Sequence, residues 1–206
     1  MGRALKPKQL PTIMIELALE KYPFRAELSN GLQTLFRPME EGDETAFKAF
    51  LETVPEIERL FIKENLNDPK LIENWCHDLD YEAELPLLAF ADGKIIGLVA
   101  LQQRLGGWKR HIARVRLLTD PEYRDIGLAN LLLTEIVDMA RHAGILRLES
   151  EFNAEREIGI RAFAEYGFTE FMRLPRYVRD MSGGSHDFVM MGMDIRSNPE
   201  FAGAGD

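Results

Sequence analysis

Residues 119–133 read TDPEYRDIGLANLLL, and they hold the pattern best suited to chemistry in this chain. An apolar strand pattern enters the stretch and a leucine-rich helical pattern leaves it. The backbone N–H groups between the two therefore fall at a helix N-terminus, where unpaired amide donors and the helix dipole favour an anion. Gly127 can turn without a Cβ clash, and the small Ala129 leaves room beside the first helical turn. The amides of Asp125, Ile126, Gly127, Leu128 and Ala129 are expected to hold a diphosphate, with Arg124 adding a positive charge.

Other chemistry-bearing residues cluster on two strand patterns. Arg114 and Arg116 share one face of "KRHIARVRLLT" by the period of two, and Glu149 and Glu151 share one face of "ILRLESEF". Either the arginines pair with those glutamates, or they offer a counter-ion to a substrate carboxylate. His111 opens the first of these strands, and His186, followed by Asp187, opens the last strand, where it is a candidate for contact with substrate. Cys76 is the only cysteine, so no intramolecular disulfide and no thiolate zinc cluster can form; no metal site is expected. Cys76 and its neighbour His77 are expected to be packing residues in a helical segment.

The elements that position these residues can be read from periodicity and turn signals. "FRAELSNGLQTLFRP" alternates on both sides of Asn30-Gly31, a hairpin signal whose second arm, Leu32 to Arg37, starts the core sheet. Asp43 is a candidate N-cap for "ETAFKAFLETV"; a helix from Pro55 to Asn65 and another capped by Asp68 before Pro69 follow. Two apolar strands meet at Asp92-Gly93, and a third follows Gly106-Gly107. From Leu128 the apolar spacing is helical up to Gly144, with Arg141 and His142 in the last turn. A strand from Ile145, a helix over Glu155 to Tyr166 closed by Gly167, and two final strands complete the order. Residues 1–23 read as an N-terminal extension, 24–195 as a single domain with a helical insert at 43–80, and 196–206 as a frayed tail.

Composition narrows the function classes. The 206 residues are 46% hydrophobic and 29% charged, the mix of an ordinary globular chain with a full core. The net charge of −9 opposes attraction to nucleic acid or to an anionic membrane surface, and neither is an expected partner. The run "PTIMIELALEKYP" carries Glu16 and Glu20 and lacks a small-residue cleavage site, so it reads as neither signal peptide nor membrane span, and the opening MGRALK lacks the Ser or Thr that myristoylation favours. A cytoplasmic location is the expectation. A second copy of the chain is a candidate partner, through the N-terminal extension.

The stretch R124-D-I-G127-L-A129 resembles the acetyl-CoA signature of the GNAT superfamily of N-acyltransferases, Arg/Gln-x-x-Gly-x-Gly/Ala, and "NAEREIGIRAFAEYGF" resembles the helix that follows it in that family. The order of elements over residues 32–195 is similar too. The resemblance implies an α+β fold with a mostly antiparallel, splayed sheet of about seven strands flanked by helices. It implies that the strand Ala113 to Thr119 parts from Leu146 to Glu151 and that the acyl-pantetheine chain pairs with the backbone of Leu117, Leu118 and Thr119. One amide there, that of Leu118, is expected to polarise the thioester carbonyl. Asn153, Arg156 and Phe163 are implied on the cofactor side as well. The activity implied is transfer of an acetyl group from acetyl-CoA to a primary amine, on a small molecule or a peptide, by direct attack in a ternary complex.

Two departures from the family pattern bear on mechanism. Aligned on the motif, Arg114 stands where the family often has a glutamate base, and Phe163 stands where it often has a tyrosine acid; Arg156 replaces an asparagine that often contacts CoA. Glu151, and after it Glu149, are the remaining base candidates. Tyr166 or water would have to supply the acid. The same departures define the alternative, a CoA-binding regulatory or interaction module that has lost catalysis.

Overall fold

The computed structural model describes residues 18–55, 58, 75–77, 79–104, 106–180 and 182–195. Eight strands form one sheet in the order β1-β2-β3-β4-β5-β6-β8-β7. They are β1 (Phe24–Glu27), β2 (Gln33–Pro38), β3 (Glu84–Ala91), β4 (Lys94–Gln102), β5 (Ile112–Thr119), β6 (Arg147–Asn153), β7 (Thr169–Arg179) and β8 (Ser185–Asp194). All neighbouring pairs are antiparallel except β5 and β6. The sheet has one strand more than the seven expected, because the first arm of the Asn30-Gly31 hairpin joins it through the register Phe24–Phe36 to Glu27–Gln33.

Turn chemistry accounts for the meander. At the β1–β2 turn Gly31 takes φ 86°, and the Asn30 side chain accepts from the Leu32 N–H at 3.1 Å. At the β3–β4 turn Asp92 and Gly93 both take positive φ, 48° and 75°, as the tight hairpin requires.

The parallel pair needs a crossover, and helix α2 (Leu128–His142) supplies it. Its buried residues Leu128, Leu132, Leu133, Ile136, Val137, Met139 and Ala140 repeat at helical spacing and lie against Ala113 and Val115 of β5, Leu148 and Phe152 of β6, and Val189 and Met191 of β8. Gly97 of β4 lets this helix approach: a Cβ there would stand 2.9 Å from the Leu132 Cδ1. Helix α3 (Glu157–Tyr166) joins the same layer through Phe163.

A second core lies on the other face. Helix α1 (Glu44–Thr53) buries Phe47, Phe50 and Leu51 against Leu88, Phe90, Ile95 and Leu98, with Met39 and Cys76. Trp75 to His77 are helical, and the Trp75 ring lies 5.9 Å from that of Phe47. Cys76 is buried, as the sequence implied, and burial together with Glu44 and Asp43 pushes its thiol up to about 11. The helices expected at 55–65 and 68–80 fall mostly outside the described residues, as do 1–17 and the tail from 196.

Asp43 precedes α1 but does not cap it with its side chain. Its two oxygens are taken by the Arg37 guanidinium at 2.7 and 2.6 Å, and one also accepts from the Glu40 N–H at 2.9 Å. A bidentate, charge-assisted pair outcompetes a single neutral cap bond. Burial pushes the Asp43 carboxyl up, but the Arg37 fork and the Glu40 amide outweigh it and hold the group below the usual aspartate range. The stabilisation is therefore complete above the ordinary aspartate pKa and is lost as the pH falls through the lowered value. Asp43→Asn is expected to cost about 2 kcal/mol at pH 7, measured by urea unfolding, and the gap between variant and parent should close as the pH falls through the lowered Asp43 value.

Candidate functional site

The sheet opens in the middle. β5 and β6 pair over only three positions, Ile112–Arg147, Ala113–Leu148 and Arg114–Glu149. Beyond them β5 stays laddered to β4 as far as Gly97–Thr119, and β6 stays laddered to β8 as far as Asn153–Phe188. Each strand keeps its outer neighbour while the two inner edges part. At the first position past the shared ladder the Ser150 hydroxyl, rather than a backbone amide, meets the Val115 carbonyl at 2.9 Å.

Alternation decides which β5 groups face this gap. The Asp120 N–H donates to the Ile96 carbonyl at 2.9 Å, so that pair is hydrogen-bonded and, two residues on, Leu98–Leu118 is as well. The backbone of Leu118 is thereby committed to β4, and its side chain packs against the second core. This corrects the expectation that the Leu118 amide faces the gap. The groups that do are those of Val115, Leu117 and Thr119, and the carbonyls of Val115 and Thr119 accept from Ser150 and from Arg124 in that direction.

The loop after β5 is built as an amide cradle. Asp120 caps a short 3-10 turn (Pro121–Tyr123) by accepting from the Glu122 N–H at 3.0 Å. Asp125 and Gly127 then take left-handed φ of 59° and 85°, which turn successive N–H groups to one side. Gly127 is the N-cap of α2 and offers no side-chain cap. The helix ladder begins with the Leu131 N–H on the Gly127 carbonyl at 3.1 Å, so the amides from Gly127 to Asn130 have no intrahelical acceptor. A Cβ added at Gly127 would meet nothing within 4 Å, and the first turn of α2 carries no acidic residue. The Ile126 carbonyl accepts from the Ser29 N–H at 3.2 Å, which ties the loop to the β1–β2 turn. A diphosphate fits this cradle of open space and helix-end amides.

Arg124 and Arg156 flank the open end of the gap, the first after β5 and the second as the N-cap residue of α3 after β6. One carboxylate joins them: Glu58 accepts from Arg124 at 2.6 Å and from Arg156 at 3.2 Å. Arg124 also donates to the Thr119 carbonyl at 3.3 Å. Burial holds the Arg156 guanidinium below the usual arginine range, with Glu58 opposing that shift and Arg124 adding to it. The Arg156 N–H binds the Asn153 side-chain oxygen at 2.8 Å. Among the described residues the buried Arg124 Nε and Asn153 Nδ2 have no hydrogen-bond partner. Sequence reasoning missed Glu58, since one glutamate in a charged helical run carries no signal for a contact 66 residues away.

The face that carries Arg114, Arg116 and Leu118 also carries Glu149 and Glu151. Arg114 and Glu151 form an ion pair across the strands. Glu149, the Cα neighbour of Arg114, instead accepts from Arg147 on its own strand at 3.0 Å, and Arg147 reaches Asp194 at 2.7 Å. The structure therefore brings one of the two glutamates to the expected arginine. Arg116 is half-buried on this face.

The remaining candidates are placed less centrally. Phe163 is 1% exposed, edge-on to Phe152 and Phe168 at 5.1 and 4.8 Å, so its ring belongs to the main core and does not face the gap. Tyr166 ends α3, half-buried beside Phe168. His111 is exposed and offers its carbonyl to the Leu146 and Arg147 amides. His186 sets Nδ1 on Glu155 at 2.7 Å and Nε2 on Asp180 at 2.8 Å. Both ring nitrogens are thus committed within the chain, which argues against the substrate contact expected of it. Among the described residues no group of histidine, cysteine and carboxylate side chains could hold a metal ion, and no helix is long and apolar enough to cross a membrane.

A model of the acetyltransferase (GNAT) family matches residues 50–168. The chain belongs to this family. The fold is the GNAT fold, and solved structures share it. The GNAT domain of S. lividans PAT is 21% identical, with a TM-score of 0.69 over 84% of this chain and 97% of that one. The ribosomal-protein-S5-alanine acetyltransferase of Vibrio fischeri is 14% identical, with a TM-score of 0.71 over 85% and 100%. The Salmonella typhimurium putative acetyltransferase yncA, solved with acetyl-CoA, is 15% identical, with a TM-score of 0.66 over 81% and 96%. No curated protein matches the chain.

The His186 cluster makes a checkable statement of charge. The Asp180 hydrogen bond, and then that of Glu155, hold the imidazole above its ordinary value, while Asp180 is held below the usual aspartate range by His186 and by the Gly184 and Ser182 amides. The His186 contribution is present below the ordinary histidine pKa and fades as the pH rises through the raised one. In an NMR titration His186 should have a midpoint above 6.5, and Asp180→Asn should lower it.

Proposed function

We propose that this protein is an acetyl-CoA-dependent N-acetyltransferase that acts on a primary amine of a small molecule or peptide. The observation that carries the reading is the gap between β5 and β6, with the amides of Gly127 to Asn130, which have no intrahelical acceptor, at its open end. A diphosphate on those amides would leave the pantetheine arm to run between the strands as an added strand, paired with the gap-facing backbone of Leu117 and Thr119. The neighbour yncA was solved with acetyl-CoA, which supports the same donor here.

Acetyl-CoA supplies an acetyl thioester; the acetyl group ends on the amine nitrogen, the carbon–sulfur bond breaks, and the proton lost by the amine ends on the thiol or in water. Within the chain, the Leu117 N–H faces the gap and is placed to stabilise negative charge developing on the thioester oxygen. Proximity in a ternary complex supplies much of the remaining acceleration, on the order of 7–11 kcal/mol where the geometry is good. Glu151 is the carboxylate to take the amine's proton, opening its pair with Arg114 as the substrate enters. Arg114 and Arg116 then offer counter-ions to a carboxylate on the acceptor. Water returns the proton to the leaving thiolate, because Phe163 has no hydroxyl and Tyr166 sits at the far end of α3 from the residues after β6. Cys76 lies in the second core with its thiol held protonated, which supports direct attack without an acyl-enzyme.

One observation favours the alternative of a CoA-binding module without catalysis: Phe163 stands buried where the family often has its acid. Thiol release from acetyl-CoA across a panel of amines, beside a CoA-binding titration, separates the two. Turnover with at least one amine, and no acetylated chain by mass spectrometry, is the expected result; tight CoA binding with no turnover for any amine supports the module instead. Gly127→Glu should weaken CoA binding at least tenfold while the far-UV spectrum is unchanged, since its carboxylate enters the space meant for the diphosphate. Unaltered affinity would remove the cradle assignment.

A further inference from the structure

Glu58 occupies an odd position for a structural residue. It reaches from the insert to the open end of the β5–β6 gap and binds the two arginines that stand on either side of it. Each of its oxygens accepts from one guanidinium, so a single carboxylate bridges the pair. Among the described residues the charge count does not close: two guanidiniums face one carboxylate, leaving one positive charge where the three side chains are only 15–19% exposed. Two buried donors, Arg124 Nε and Nδ2 of the Asn153 that binds the Arg156 N–H, also have no partner among the described residues. One carboxylate carries too little charge to balance both guanidiniums and, where it sits, leaves those two donors unmet, whereas a diphosphate brings two negative charges and more acceptors.

We infer that the Glu58 carboxylate is a built-in competitor for the anionic end of the donor, exchanging with the diphosphate for Arg124 and Arg156 and thereby setting donor affinity. This rests on the proposed function for the identity of the donor. The direction of the effect separates it from an ordinary structural ion pair. If Glu58 only held the arginines in place, its loss would weaken donor binding. As a competitor, its loss strengthens binding, because the ligand no longer has to displace a charge-assisted pair and no longer meets a like charge at the mouth of the gap. The effect is specific to diphosphate-bearing donors, since a bare pantetheine thioester ends short of the arginines.

The test compares parent and Glu58→Gln by calorimetric titration with CoA and with a pantetheine thioester that lacks the diphosphate. Glu58→Gln is expected to bind CoA about tenfold tighter, roughly 1.4 kcal/mol, to bind the pantetheine thioester as the parent does, and to melt at a lower temperature than the parent without ligand. Glu58→Asp, which keeps the charge but shortens the reach, should fall between the two and serves if the glutamine variant fails to fold. CoA binding by the parent with equal or weaker binding by both variants overturns the competitor and leaves the proposed function standing. Tightening of equal size for both donors also overturns it. Absence of CoA binding in parent and variants alike overturns the proposed function together with the competitor.

Discussion

The short ladder between β5 and β6 governs everything else in this molecule. Backbone pairing across it ends after Arg114–Glu149, yet neither strand loses its place, because β4 holds β5 to Thr119 and β8 holds β6 to Asn153. A parallel pair normally buries its backbone groups in continuous pairing. Here one edge of β5 is left with the backbone of Leu117 and Thr119 turned toward a gap, a cost that a bound extended chain would offset. The main core under α2 makes this tolerable: Leu132, Leu133, Ile136 and Met139 brace both strands from one side, so the sheet can part without losing its support.

The loop at the end of the gap shows how backbone conformation substitutes for side-chain chemistry. The left-handed turns at Asp125 and Gly127, and an N-cap without a side chain, leave a set of amides unspent where the chain could easily have spent one on a serine or aspartate cap. Side chains add the electrostatics. Arg124 and Arg156 lie just past the ends of the two strands that part, and Glu58 is the group that joins them. On the other face, Arg114–Glu151 and the Glu149–Arg147–Asp194 series form a run of ion pairs across β5, β6 and β8.

The sequence was legible wherever the signal was local. The Asn30-Gly31 and Asp92-Gly93 hairpins, helix α2 with its stop at Gly144, and the Arg-x-x-Gly-x-Ala loop all follow from residue types a few positions apart, since turn sterics and helical spacing act over that range. The side-chain role of Asp43 was misread for the same reason: a local cap and a pairing with Arg37 compete, and only the paired strand end brings the guanidinium close enough to win. The direction of the Leu118 amide was equally hidden. It depends on which residue pairs across β4 and β5 are hydrogen-bonded, and a strand's alternation carries no label for that until its partner is in register.

By itself the sequence determined the element order, the placement of an amide loop ahead of a helix, the lack of a second cysteine for an intramolecular disulfide and the two departures at Arg114 and Phe163. Tertiary structure alone decided where the shared ladder stops, that Phe163 turns into the main core, that Arg114 reaches Glu151 while Glu149 takes Arg147, and that Glu58 spans the two arginines. The division has one physical cause. Backbone sterics and side-chain periodicity are written within a few residues of chain, whereas ion pairing and strand register are settled by which distant segments burial forces together.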